Sequence, residues 1–347
     1  MAQKNKISSA QLFCLLLISR GVLSIASGAF SGAGNIQSSS IAAIAAGIIS
    51  IIISIPALYA ANGGREILHS GFGRVVSGIY ALYFFYAICI TLTIFTVMRA
   101  ETADARISFI ILPLLMIITA VYGAYKGIEA ISRTGALILF AVASAFLLLC
   151  LSLFPKSSML NLAPAGALQI NDIISETVIM LGEQSCIPAL IFLYPNIKGS
   201  VKKTVILWIF VVFLCIGSLS LFIASILGDY AQSQPFPVYS WARLASFGVV
   251  QRLDSVFSAI WTAGVFIRLS LLFWVLSASV KYSVGKKAAK LAPIIAGAAA
   301  LAISVGTPFN LGLRNGVLNA PLLLSATAVC SVVLPAALII KRRVSNR

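Results

Sequence analysis

Charge is scarce in this chain: 10% of its 347 residues are Asp, Glu, Lys or Arg, against about 25% in soluble globular proteins. Acids are scarcest, 9 against 25 basic residues, and His69 is the one histidine. The six cysteines (Cys14, Cys89, Cys150, Cys186, Cys215 and Cys330) sit inside apolar runs, with no Cys-x-x-Cys or Cys/His spacing. Neither a disulfide framework nor a metal site is expected from them, and no cofactor is predicted. Enzyme signatures are missing too: no Gly-x-Ser-x-Gly, His-Glu-x-x-His, P-loop or Rossmann fingerprint occurs. Gly32-Ala33-Gly34 follows no strand, so it is not read as a nucleotide loop. These absences exclude a disordered chain, a disulfide scaffold and an ordinary soluble enzyme.

What is abundant is apolar sequence, at 60% hydrophobic residues and a mean hydropathy of +1.03. Such a chain dissolves in lipid. At about 20 residues per crossing the length allows roughly ten spans with short loops, and no separate soluble domain. The runs read as Ile7–Phe30, Ile36–Ala60, Val75–Met98, Ile107–Tyr125, Ile131–Phe154, Asn171–Pro195, Val201–Leu227, Asp254–Val280, Ala288–Val305 and Val317–Ile340. None alternates with period two, so a barrel is excluded, and an all-α integral membrane protein of about ten transmembrane helices is predicted, one domain over residues 1–347. The first run is too long for a signal-peptide core and leads into a second span, so no cleavable signal is predicted.

The net charge of +16 is explained by membrane topology rather than by nucleic acid. Counted loop by loop, 17 Lys and Arg fall on the side of the N-terminus and 6 on the other. The positive-inside rule then places both termini in the cytoplasm. The longest connections, Pro155–Ile170 and Gly228–Leu253, fall outside. The second carries Phe236-Pro237 and Trp241-Ala242-Arg243 and reads either as a short interfacial helix or as a solvated connector.

Three charged residues stand near span centres. Arg20 is 13 residues beyond Ile7, Glu183 is 12 beyond Asn171, and Arg268 is 14 beyond Asp254. Each is roughly 20 Å along its helix, where a charge costs about 2.5–3.5 kcal/mol and needs a partner or a wet cavity. Helix breakers lie beside two of them: Arg20-Gly21 with Ser24, Ser27-Gly28 and Gly32-Ala33-Gly34, and then Gly182-Glu183-Gln184-Ser185-Cys186-Ile187-Pro188. Unwound backbone is tolerated at membrane depth only where it lines protein or water. Broken helices 1 and 6, five apart in a set of ten, imply a five-plus-five inverted repeat, residues 7–154 and 171–340, with a midplane site between them. Half-helix N-termini there would offer N–H groups to a carboxylate. Glu183 is the candidate protonatable or ligand-sensing group. The other reading of Glu183 is a structural ion pair with Arg20 or Arg268, which can coexist with the first; the sequence does not show which arginine contacts it, if either does. Tyr80, Tyr83 and Tyr86 share one helix face and either pack or line the cavity. Trp261, two turns before Arg268, either packs or stacks on a ligand or an arginine. The ligand-binding set is Arg20, Gly21, Ser24, Gly28, Tyr86, Gly182, Glu183, Trp261 and Arg268.

Several ordered blocks resemble the spore germination permease family, the B subunits of nutrient germinant receptors in the amino acid–polyamine–organocation superfamily. They are Ile7-Ser8-Ser9-Ala10-Gln11-Leu12-Phe13, the stretch from Tyr122 to Arg133, and Asn161-Leu162-Ala163-Pro164 followed by Gly182-Glu183. The most specific series is Phe236-Pro237-Val238-Tyr239, Gln251-Arg252-Leu253-Asp254-Ser255, Ile260-Trp261 and Gly264-Val265-Phe266-Ile267-Arg268-Leu269-Ser270. The resemblance implies a LeuT-like fold and a site around helices 1, 3, 6 and 8 that takes in Gly182, Glu183, Trp261 and Arg268. It also implies sensing of a small nutrient, often an amino acid, in the spore inner membrane beside A-type and C-type receptor subunits. A proton-coupled amino-acid transporter and a structural scaffold subunit remain as other readings.

Overall fold

Inside hydrocarbon no water is available to bond the backbone, so apolar runs must satisfy their own N–H and C=O groups as helices. The computed structural model describes residues 6–25, 36–63, 68–102, 108–162, 169–246 and 253–345, and these are almost entirely helical. Of the predicted site residues, Gly28 lies outside the described set.

In chain order the helices are α1 (Ser9–Ser24), α2 (Ile36–Gly63), α3 (Gly71–Thr102), α4 (Ser108–Lys126), α5 (Ile128–Leu153), α6 (Ile170–Gly182) and α7 (Cys186–Leu193). They continue with α8 (Val201–Leu227), α9 (Pro237–Arg243), α10 (Asp254–Ser283), α11 (Lys286–Gly306), α12 (Leu311–Val317), α13 (Ala320–Ala328) and α14 (Leu334–Ser345). Among the described residues eight helical stretches are long and apolar enough to cross a membrane, with α6–α7 and α12–α14 each counted as one. Two shorter apolar helices, α1 and α4, are also present among the described residues. All fall on the stretches read from sequence, so the protein is an all-α integral membrane protein.

The core centres on α3 packed against α10, and the α6–α7 pair packs on α2 and α13 with α7 also meeting α10, while α1 packs on α5, α8 and α10. The α6–α7 pair is 89% buried over its most apolar stretch, whereas α5 is 11% buried; α5 therefore presents its side chains to lipid. A close approach joins α1 to α10. A Cβ on Gly264 would stand 2.5 Å from Val22 Cγ2, so only a hydrogen fits there.

The structure departs from the sequence reading in four places. First, α1 does not break at Arg20-Gly21. A capping box of Ser8 and Gln11 starts it, Ile25 N–H still donates to the Gly21 carbonyl, and the helix runs unbroken to Ser24. One interior glycine costs only about 1 kcal/mol, too little to interrupt a capped apolar helix. Residues 26–35, which hold Gly28 and Gly32-Ala33-Gly34, lie outside the described set. Second, the tenth stretch is segmented. Asn319 caps α13 by accepting from Leu322 N–H at 2.8 Å, and Val329–Val333 forms a π turn before α14. Third, the Gly228–Leu253 connection does contain a helix, α9, but its Trp241 is buried beside Phe146 and Phe222 rather than placed at a headgroup. Fourth, two short parallel strands pair Ile7 with Ile197 and Ser8 with Lys198, tying the start of α1 to the chain just beyond α7.

Candidate functional site

The sixth span is broken. Helix α6 ends at Gly182, and three residues, Glu183, Gln184 and Ser185, separate it from α7. Its last four carbonyls are all satisfied. Glu183 N–H donates to Ile179 and Gln184 N–H to Leu181. Arg20 Nη2 donates to the Met180 carbonyl at 3.2 Å, and Thr327 Oγ1 donates to that of Gly182 at 2.7 Å. A helix's C-terminal carbonyls carry partial negative charge, so a guanidinium there is favourable. On the far side of the break, Pro188 is the third residue of α7 and has no N–H to satisfy.

The two arginines are both buried, but they are held differently. Arg20 Nη1 lies 2.7 Å from Glu183 Oε2, with both side chains shut off from solvent. The same nitrogen donates to Ser24 Oγ at 2.7 Å, and the Phe213 ring lies 5.7 Å from the guanidinium carbon. Arg268 bonds neutral groups on two helices and the break: Nε to Thr91 Oγ1 at 3.0 Å, Nη1 to the Ser19 carbonyl at 2.6 Å, and Nη2 to Ser185 Oγ at 2.9 Å. Among the described residues no carboxylate lies within 4 Å of Arg268. The pairing left open by the sequence is thus resolved: Arg20 is the partner of Glu183. Two buried cations face one buried anion at the break. Several polar atoms there lack a hydrogen-bond partner among the described residues, namely Glu183 Oε1, Gln184 Oε1 and Arg20 Nε.

A second polar seam joins α3 to the tenth span. The single hydroxyl proton of Thr327 is committed to the Gly182 carbonyl, so Tyr83 OH is the donor in its 2.9 Å bond to Thr327 Oγ1. Tyr80 OH donates at 2.7 Å to the Cys330 carbonyl. That carbonyl is free for a reason visible in the sequence. Within the π turn Leu334 N–H bonds Val329, so Cys330 would next be served by residue 335, a proline without N–H. Tyr86 OH donates to the Val317 carbonyl at 3.1 Å. The tyrosine face therefore packs and clamps the tenth span.

Of the residues predicted from sequence, the structure gathers Arg20, Ser24, Gly182, Glu183 and Arg268 around the break. Trp261 stacks on Phe95 at 5.7 Å and donates Nε1–H to the Val22 carbonyl, so it touches neither arginine by stacking. Tyr86 lies along the seam away from the ion pair. Sequence reading missed Ser19, Ser50, Thr91, Ser185 and Thr327. Gln184 Nε2 donates to Ser50 Oγ at 3.2 Å. Ser185 stands inside the breaker motif and Ser19 adjoins Arg20, so position could have found those two; nothing local distinguishes Ser50, Thr91 and Thr327.

A broken, charge-bearing crossing inside a bundle of apolar helices is the setting of an integral membrane protein rather than of a soluble binder. The chain matches the model of a family described as spore germination protein, over residues 6–310. It belongs to that family, an integral-membrane permease family associated with germination, which implies a small-molecule nutrient and a membrane setting. No curated protein matches the chain.

Proposed function

We propose that this protein is the membrane subunit of a spore nutrient-germinant receptor, binding a small nutrient, an amino acid, at the broken sixth span and signalling germination. The observation that carries this reading is the pair of buried guanidinia facing one buried carboxylate at Glu183–Ser185. A zwitterionic amino acid complements it: its carboxylate adds the anion that the cluster lacks, and its ammonium meets the unpartnered Glu183 Oε1. Arg268 stands at the N-terminal end of α7, where the dipole also favours an anion. The LeuT-like repeat, the cytoplasmic termini, the spore inner membrane and the A-type and C-type partner subunits belong to the same proposal. Binding shifts the receptor only by the ligand's differential affinity for its two states.

Two measurements test it. Spores lacking the gene should lose the response to one nutrient, and the purified protein in proteoliposomes should not concentrate that nutrient. A second reading, a proton-coupled transporter, is favoured by Glu183 Oε1, which has no hydrogen-bond partner among the described residues. Concentrative uptake driven by a pH gradient and abolished by Glu183→Gln would replace the receptor reading with that one. If Arg20, Glu183 and Arg268 variants all germinate like wild type, the protein is a scaffold and the site reading fails.

A further inference from the structure

A cavity of about 420 Å3 lies between α1, α5, α8 and α10, within the range of ligand-sized pockets, about 300–1,000 Å3. Its walls are apolar, among them Leu139, Phe146, Val212, Ile216, Ile260 and Trp261. Two residues of α1, Gly21 and Ser24, also line it. Gly21 adjoins Arg20 in sequence, and a Cβ at Gly21 would meet nothing within 4 Å. Ser24 both lines the cavity and accepts the 2.7 Å bond from Arg20 Nη1. An apolar space therefore ends one hydrogen bond from the Arg20–Glu183 pair. A lipid carries its charge at the membrane surface, whereas this charge is 13 residues into its span.

We infer that the ligand is an α-amino acid with a bulky apolar side chain, which occupies this cavity while the charged groups engage Arg20 and Glu183, and that the empty space at Gly21 sets the size accepted. This rests on the reading that the ligand binds at that ion pair.

The test uses the full-length protein in nanodiscs of phosphatidylethanolamine and phosphatidylglycerol, titrated with glycine, serine, alanine, valine, leucine and phenylalanine. Affinity should rise roughly fourfold per buried methylene, on the order of 50-fold from alanine to leucine. Gly21→Leu should abolish leucine and phenylalanine binding, and Gly21→Ala should weaken phenylalanine binding by a smaller factor. Native thiols give a readout that needs no variant. Cys150 and Cys215 line the cavity from α5 and α8, so leucine should slow their alkylation by N-ethylmaleimide and glycine should not. The inference is overturned if alanine and leucine bind alike, or if alkylation runs at one rate with and without leucine, which assigns the cavity to a lipid acyl chain. In those outcomes, loss of binding in Glu183→Gln still upholds the ion-pair reading. Unchanged binding in Glu183→Gln, or no binding of any amino acid, overturns that reading and the inference with it.

Discussion

Replacing Glu183 by glutamine keeps the side-chain shape and removes one charge. Glu183 Oε2 is 2.7 Å from Arg20 Nη1 with both side chains fully buried, and no other described carboxylate is within 4 Å of either arginine. The variant therefore leaves two buried guanidinia without a counter-ion. Breaking a buried pair from one side costs about 3–5 kcal/mol. The glutamine carbonyl can still accept from Arg20, which places the expected loss near the lower end, about 3 kcal/mol, or over 100-fold in the folding equilibrium. Arg20→Met should cost a similar amount by stranding Glu183 and baring the Met180 carbonyl. The double variant removes both charges, so its cost should fall short of the sum by about 2 kcal/mol or more, the mark of coupled neighbours. The assay is reversible unfolding in mixed lipid–detergent micelles, followed by far-ultraviolet circular dichroism at low and high salt. Because no solvent separates the pair, salt should change the coupling little. If the single variants unfold within about 0.5 kcal/mol of wild type, or their costs simply add, then the pair does not hold the break together.

Other substitutions probe the same architecture. Gly264→Ala puts a Cβ 2.5 Å from Val22 Cγ2 and should cost about 1–3 kcal/mol by overpacking; adding Val22→Ala should recover most of it in a thermal melt. Thr327→Val bares the Gly182 carbonyl and strands Tyr83 OH, an expected loss of about 1–3 kcal/mol. Tyr83→Phe removes a donor without orphaning that carbonyl and should cost about 0.5–1.5 kcal/mol. Pro335→Ala restores an N–H for Cys330, so Tyr80→Phe, destabilising alone, should become nearly neutral in the Pro335→Ala background when unfolding midpoints are compared.

The apolar runs were readable because lipid leaves a chain only helices or closed barrels to satisfy its backbone, and long apolar runs without period-two alternation specify helices. The break in the sixth span was readable because Gly182, Glu183 and Pro188 stand together, and no continuous crossing places that trio at its centre. The same reasoning misjudged Arg20-Gly21. A lone glycine resembles a breaker, yet its roughly 1 kcal/mol is outweighed by a capped helix packed on three neighbours. Which arginine meets Glu183 was beyond the sequence, since both are separated from it by more than 80 residues and the choice follows from how α1 and α10 lean on the break. Tyr80, Tyr83 and Tyr86 announced a shared face by their spacing, but their acceptors lie on α12, α13 and the π turn. Only Pro335 hinted that one carbonyl there would need an outside donor.

The two arginines are not equivalent, and the difference bears on how the proposed ligand would act. Arg268 is fixed from α1, α3 and the break by hydroxyls and a carbonyl that have no competing charge. Moving it would orphan groups on three elements at about 1–3 kcal/mol each. Arg20 spends its strongest contact on Glu183, and its remaining bonds go to Ser24 and to Met180, one on its own helix and one on the end of α6. An incoming carboxylate competes with Glu183 for Arg20 on equal electrostatic terms, while an incoming ammonium compensates Glu183 for the loss. The exchange therefore costs little at Arg20 and much at Arg268. It also loosens the Met180 contact by which α1 caps α6. On the proposed reading, a ligand exchanged at Arg20 would change the coupling between the first and sixth spans while Arg268 keeps α10 in place. Arg20→Lys should accordingly weaken ligand response more than stability, because an ammonium keeps the charge but lacks the fork that bridges Glu183, Ser24 and Met180 at once. A variant that bound ligand and germinated like wild type would show that Arg20 only holds the fold.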